Sequence, residues 1–141
     1  MPLKYAPPAG TLVVASFDQG FVEPEMVKTR LAVVLSPPIQ HRFGLCTIVP
    51  LSTTKPEHMM PYHAEIVVPF QLPAKWGNRV RWVKGDMVYA AGFHRLEMVR
   101  LDKDRTGKRV YQTRTLPTEM MKVVQGCVLH GLGLGRLTVN L

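Results

Sequence analysis

The chain is written largely in short apolar runs, each cut off by proline, glycine or a polar turn, and that punctuation limits what it can fold into. Thr11-Leu12-Val13-Val14-Ala15-Ser16-Phe17 stops at Asp18-Gln19-Gly20, Arg30–Ser36 stops at Pro37-Pro38, Leu45–Ser52 follows Gly44, and Tyr62–Val68 stops at Pro69. Runs of this length, rich in β-branched residues and bounded by turn formers, predict strands. Phe21–Thr29 carries Pro24, two glutamates and no clean period, and reads as a loop. Lys75-Trp76-Gly77-Asn78 reads as a turn, followed by short strands at Val80–Val83 and Asp86–Gly92 with an interruption at Lys84-Gly85.

Leu96–Leu101 and Arg109–Leu116 predict a hairpin around the polar residues 102–108, whose tip is exposed and basic. Then the period changes. Met121, Val124, Cys127, Val128 and Gly131 share one helical face, which predicts a single helix from about Pro117 to His130. Pro117 suits its first turn, Thr118 and Glu119 its positive end, and Gly131 its stop. Many short strands and one C-terminal helix imply a mainly β (α+β) fold, a compact antiparallel β-barrel rather than a parallel α/β sheet. With no repeat and no linker, residues 1–141 form one domain with a flexible N-terminus at 1–9 and a C-terminal tail at 131–141.

A chain of 141 residues can bury a core without covalent staples. No apolar run approaches the roughly 20 residues that span a bilayer, and Met1–Pro8 lacks the apolar stretch of a signal peptide. Cys46 and Cys127 lie inside apolar segments, as buried thiols of a cytoplasmic protein do. The net charge of +8 is concentrated: Lys75 to Arg114 holds eleven Lys/Arg against four Asp/Glu. Such a block suits a polyanionic partner, either a nucleic acid or an acidic protein.

Three clusters carry chemistry. Arg30 opens the run Leu31-Ala32-Val33-Val34-Leu35, Ser52-Thr53-Thr54 ends a strand in hydroxyls, and Lys84-Gly85-Asp86 opens another. A guanidinium grips two phosphate oxygens at once, hydroxyls add uncharged donors, and a carboxylate can take a proton. Each cluster also has a plain structural alternative: a solvated strand-end arginine, hydroxyls that satisfy a turn, and a surface ion pair. Trp76, Trp82, Tyr89 and Phe93 interleave with Arg79, Arg81, Lys84 and Arg95, a pattern suited to stacking unpaired bases beside cations. Strand alternation assigns at least two of these four aromatics to the core, leaving Trp76 or Trp82, not both, for a ligand. The five histidines are scattered singly with no metal spacing, and no cofactor is implied. Gly131-Leu132-Gly133-Leu134-Gly135 follows a helix and lacks a Lys-Ser/Thr, so it is no phosphate loop.

In order and context these motifs resemble the PemK/MazF toxins, bacterial endoribonucleases paired with antitoxins. Lys28-Thr29-Arg30-Leu31-Ala32-Val33-Val34-Leu35-Ser36-Pro37 is similar to the family's Arg-Pro strand, Val49-Pro50-Leu51-Ser52-Thr53 to its hydroxyl strand end, and Lys84-Gly85-Asp86 to its basic-x-Asp turn. The resemblance spans roughly Gly10 to His130, and the ending Cys127–Leu134 looks like a phage-associated branch. It implies an SH3-like barrel of the CcdB/PemK kind. It also implies that Arg30 binds the scissile phosphate and serves as acid, that Ser52 or Thr53 is the active-site hydroxyl, and that Asp86 is the base. Lys84, Lys28, Arg79, Arg81 and one of Trp76 and Trp82 would contact RNA, and Glu23 and Glu25 would shape the site. Leu31 in place of proline, Lys84 in place of arginine, a longer loop before Arg30 and the hairpin around 103–109 are departures from the family pattern.

The function expected from this likeness is a metal-independent, sequence-selective endoribonuclease of single-stranded RNA. It would form a homodimer, be held by an acidic antitoxin, and meet DNA only through that antitoxin. The alternatives are a non-catalytic nucleic-acid-binding barrel and a toxin of the same fold that inhibits DNA gyrase.

Overall fold

The computed structural model describes residues 1–141. Its regular elements are β1 (Leu12–Ala15), β2 (Arg30–Val34), β3 (Leu45–Ser52), β4 (His63–Val67), β5 (Val80–Lys84), β6 (Tyr89–Gly92), β7 (Leu96–Met98) and α1 (Thr118–Gly131). Every strand pairing is antiparallel, in the order β4-β5-β3-β2-β1-β7 with β6 against β3. The mainly β expectation therefore holds. No helix is long and apolar enough to cross a membrane.

The central strands are buried on both faces. Leu12, Leu31, Val33, Val49 and Leu51 pack with Val83 and with Met121, Val124 and Cys127 of α1. Their neighbours Val13, Ala32, Val34 and Ile48 turn the other way, onto Phe17, Phe93 and Leu96. A strand covered on both sides needs apolar residues at every position, which is why these runs are continuous and not alternating. Cys46 and Cys127 belong to opposite clusters, and both are free thiols whose pKa burial pushes up.

β5 and β6 are two halves of one line along β3. Trp82 and Val83 oppose Ser52 and Leu51, and after an interruption Tyr89 and Ala90 oppose Ile48 and Thr47. Between these stretches the five residues Lys84–Val88 face only Val49 and Pro50, so the chain must loop out. Pro50, with no N–H to offer a ladder, falls in the gap.

The ends of the chain differ from expectation. Residues 1–9 are docked along β7, through Leu3 N–H to the Leu96 carbonyl (3.0 Å) and the Met1 amino group to Glu97 (2.9 Å). They cover what would otherwise be a bare sheet edge. α1 does not stop before Gly131: Gly131 is helical, and Gly133, at φ 75°, takes the left-handed position. Gly133 N–H donates to the His130 carbonyl and Leu134 N–H to Leu129, which is a Schellman cap. The tail then makes a 3-10 turn, Gly135–Asn140, against α1. The predicted hairpin is regular only at β7. Beyond it, Leu101 N–H to Val110, Gln112 N–H to Val99 and the Arg100–Tyr111 bridge hold the arms, because its outer residues 102–110 are exposed and bury nothing.

Candidate active site

Three strand ends and one loop enclose a cavity of about 600 Å³ lined by Glu23, Pro24, Glu25, Met26, Val27, Lys28, Arg30, Ser52, Lys84 and Met87. Arg30 starts β2 opposite Ala15, Ser52 ends β3, and Lys84 ends β5. The loop before β2 supplies the opposite wall with two carboxylates and Lys28. Six of the residues expected at the site thus converge: Arg30, Ser52, Lys84, Lys28, Glu23 and Glu25.

The donors in this cavity are only partly committed. Arg30 Nε is shielded from solvent and has no acceptor, a costly state for a polar group unless an incoming anion satisfies it. Ser52 is 8% exposed, and its hydroxyl donates to the Thr54 carbonyl at 3.2 Å while accepting from Thr54 N–H at 3.1 Å. The turn-satisfying role and the cavity-lining role therefore coexist in one side chain. At 3.2 Å the donated bond is longer than the usual O–H···O range, so the hydroxyl proton can swing to a better acceptor at little cost.

Other expected residues lie elsewhere. Thr53 is exposed in the turn and does not line the cavity. Asp86 is also outside it: the looped-out turn carries the exposed Asp86 onto Gly131 at the C-terminal end of α1. Arg79 precedes β5, at the far end from Lys84. Arg81 overturns its assignment as an RNA contact, being 2% exposed with its guanidinium donating to the carbonyls of Trp76, Asn78 and Val80. Burial pulls its pKa down, and it functions as a staple for the turn before β5. Trp76 packs against the α1-side core. Phe93 and Tyr89 belong with the opposite cluster. Trp82 is the aromatic left over: half-buried, opposite both Ser52 and Glu65, with Lys55 Nζ 5.7 Å from its ring centroid.

Two features had no visible sequence signal. Met87 enters the cavity only because the β5–β6 line loops out. His63 stands opposite Lys84 in the β4–β5 register, with Nδ1 accepting from Met60 N–H at 3.2 Å and Nε2 buried without a partner. Burial, and then the charge of Lys84, pull its pKa below the usual histidine range, while Asp86 acts in the opposite direction.

Residues 9–131 match the family model described as PemK-like, MazF-like toxin of type II toxin-antitoxin system. The chain belongs to the PemK/MazF family. It is 30% identical over 120 residues to YifN of Escherichia coli K12, spanning 83% of this chain and 75% of that one. Among solved structures it resembles MazF of Deinococcus radiodurans, at a TM-score of 0.59 and 24% identity over 92% of this chain and 99% of that one. An endoribonuclease from a mycobacterial species, solved with its cognate antitoxin, aligns at a TM-score of 0.53 and 17% identity, over 91% of this chain and 96% of that one. The fold is thus that of MazF, and the cavity sits where β2, β3 and β5 of this PemK/MazF barrel end together.

Proposed function

We propose that the chain is a metal-independent endoribonuclease that cuts single-stranded RNA by attack of a 2′-hydroxyl on its own phosphate. The observation that carries this reading is the unpartnered Nε of Arg30 in one cavity with Ser52, Lys84 and two carboxylates. Arg30, Lys84 and the Ser52 hydroxyl hold the phosphate oxygens as negative charge builds on them. Glu25 or Glu23, the carboxylates in the cavity, takes the proton of the 2′-hydroxyl. The new O2′–P bond forms as the P–O5′ bond breaks, and Arg30 protonates the departing 5′-oxygen. The products are a 2′,3′-cyclic phosphate and a 5′-hydroxyl. Trp82, beside Ser52, offers a face for a neighbouring base. Asp86 takes no part as base, because it is exposed and is not among the residues that line the cavity.

Family membership and the antitoxin-bound mycobacterial neighbour support the rest of the proposal: an acidic antitoxin that blocks the cavity, a homodimer, and DNA contact only through the antitoxin. Exposed Leu132 (60%) and Val139 (85%) near the C-terminus favour one second reading, a toxin of this fold acting on DNA gyrase.

The test is incubation of the purified protein with a long single-stranded RNA in excess EDTA beside Arg30→Ala. Discrete fragments with cyclic-phosphate ends, reduced at least about 100-fold in the variant, support the proposal. Equal cleavage by both proteins overturns it. Intact RNA, together with loss of supercoiling when gyrase is added, moves the assignment to the gyrase reading.

A further inference from the structure

The looped arm beyond β7 is the most charged part of the molecule, and the cavity makes no use of it. Residues 100–114 hold six Lys/Arg against two Asp, a net +4 out of the chain's +8. None of these six cations makes an ion pair; the only ion pairs of the protein are Met1–Glu97 and Lys122–Glu119. Neither of the arm's two carboxylates, Asp102 and Asp104, forms an ion pair with these cations. Asp104 Oδ1 accepts from Thr106 N–H (2.8 Å), the Thr106 hydroxyl (2.7 Å) and Lys108 N–H (3.0 Å), and Asp104 N–H donates to the Lys108 carbonyl. One acidic group thus shapes the tip, while Lys103, Arg105, Lys108 and Arg109 stand free in solvent around it.

We propose that this arm is a second RNA contact, gripping the phosphate backbone of the nucleotides that flank the cleaved bond. The inference rests on the ribonuclease reading for its substrate but not for its measurement. The topology sets the place. β7 leaves Leu96 opposite Ala15, the residue that also faces Arg30, and runs back past Val13, while Thr115 on the returning arm bridges to Thr11. The arm therefore leaves the barrel at the end of β1 away from Arg30, roughly 13 Å along the strand, so an RNA that reaches both must lie along the barrel wall.

The chemistry selects nucleic acid over an acidic protein. Protein interfaces need buried apolar or aromatic anchors at their centre. From Asp102 to Val110 every residue is exposed, and Val110, 37% exposed, is the only apolar side chain among them. A surface with charge and no anchor gains by releasing counterions from a polyphosphate. Because phosphates carry no sequence information, the arm adds affinity and footprint and leaves the cut motif unchanged.

The experiment is a salt titration of binding to a 30-nucleotide 2′-O-methyl RNA, which cannot be cleaved by 2′-attack. The variant Lys103→Ser/Arg105→Ser/Lys108→Ser/Arg109→Ser keeps Asp104, Thr106 and Gly107, and with them the turn. The expected result is a salt slope shallower by about 2 to 3, since each single-strand phosphate contact contributes roughly 0.7, and affinity at least about tenfold weaker at low salt. A control variant, Lys4→Ser/Lys122→Ser/Arg136→Ser, removes exposed charge from other faces and should change the slope by less than 1. An unchanged slope in the arm variant overturns the proposal, as does an equal fall in the control. Retained RNA binding with lost binding to polyglutamate would overturn it in favour of an acidic protein partner. Failure of the ribonuclease reading shows separately, as cleavage insensitive to Arg30→Ala.

Discussion

Gly85 and Gly131 touch backbone to backbone. A Cβ on Gly131 would collide with the Gly85 carbonyl and come within 2.9 Å of the Asp86 Cα, while a Cβ on Gly85 would strike the backbone of Cys127. The turn that follows Lys84 is therefore seated on the last turns of α1, and the helix fixes where Lys84 enters the cavity. Gly131→Ala should destabilise the protein by about 1–3 kcal/mol through overpacking. If the turn shifts as the geometry requires, RNA cleavage should fall by more than the loss of folded protein explains. Gly126→Ala is the contrasting case: its nearest neighbours are Leu141 at 3.8 Å and Thr138 at 4.0 Å, an ordinary contact. It should raise stability by roughly 0.5–1 kcal/mol, measured by denaturant midpoint.

Arg81 separates folding from binding. Arg81→Met leaves the carbonyls of Trp76, Asn78 and Val80 without their charged donor. A stability loss of about 2–4 kcal/mol is expected. Affinity of the remaining folded protein for uncleavable RNA should stay within twofold or so of wild type, because the guanidinium does not reach the surface. A selective loss of affinity at full stability would return Arg81 to the RNA interface.

Lys84 and Asp86 are one residue apart yet should behave differently. Lys84→Gln removes a cation from the cavity and should lower the cleavage rate by roughly 10- to 100-fold. Asp86→Asn, outside the cavity, should stay within about threefold in the same single-turnover measurement, a bound set by the absence of any lost site contact. A large loss in Asp86→Asn at intact stability would reinstate it as the base.

His63 predicts a pH dependence with a definite sign. Its folded-state pKa lies below the ordinary histidine value of about 6.5, so the unfolded chain binds the proton more readily. Stability should be level above about 6.5 and decline as pH falls from there through the lowered value. His63→Gln, which keeps a hydrogen-bonding side chain without a titrating ring, should flatten that limb of a pH series of urea melts. Lys84 and Asp86 are the charges that act on the ring.

Much of this protein is decided within short stretches of chain. Short, mostly apolar runs such as Arg30–Val34 and Leu45–Ser52, bounded by turn formers, read as two-sided strands, and Met121, Val124 and Cys127 at helical spacing read as the buried face of a helix. These are local properties, set by backbone sterics and burial, and motif order carried the family with them. The assembly of the site is a different kind of fact. Whether Ser52 or Thr53 enters the cavity depends on strand parity at the end of β3. Whether Lys84 or Asp86 does so depends on five residues looping out beside Pro50 and resting on Gly131, more than forty positions away. Arg81 reads as a surface cation until its neighbours fold around it, for burial of a charge is settled by the carbonyls it finds and not by its own identity. Register and long-range packing place atoms to within an ångström, and spacing along a chain carries no record of either.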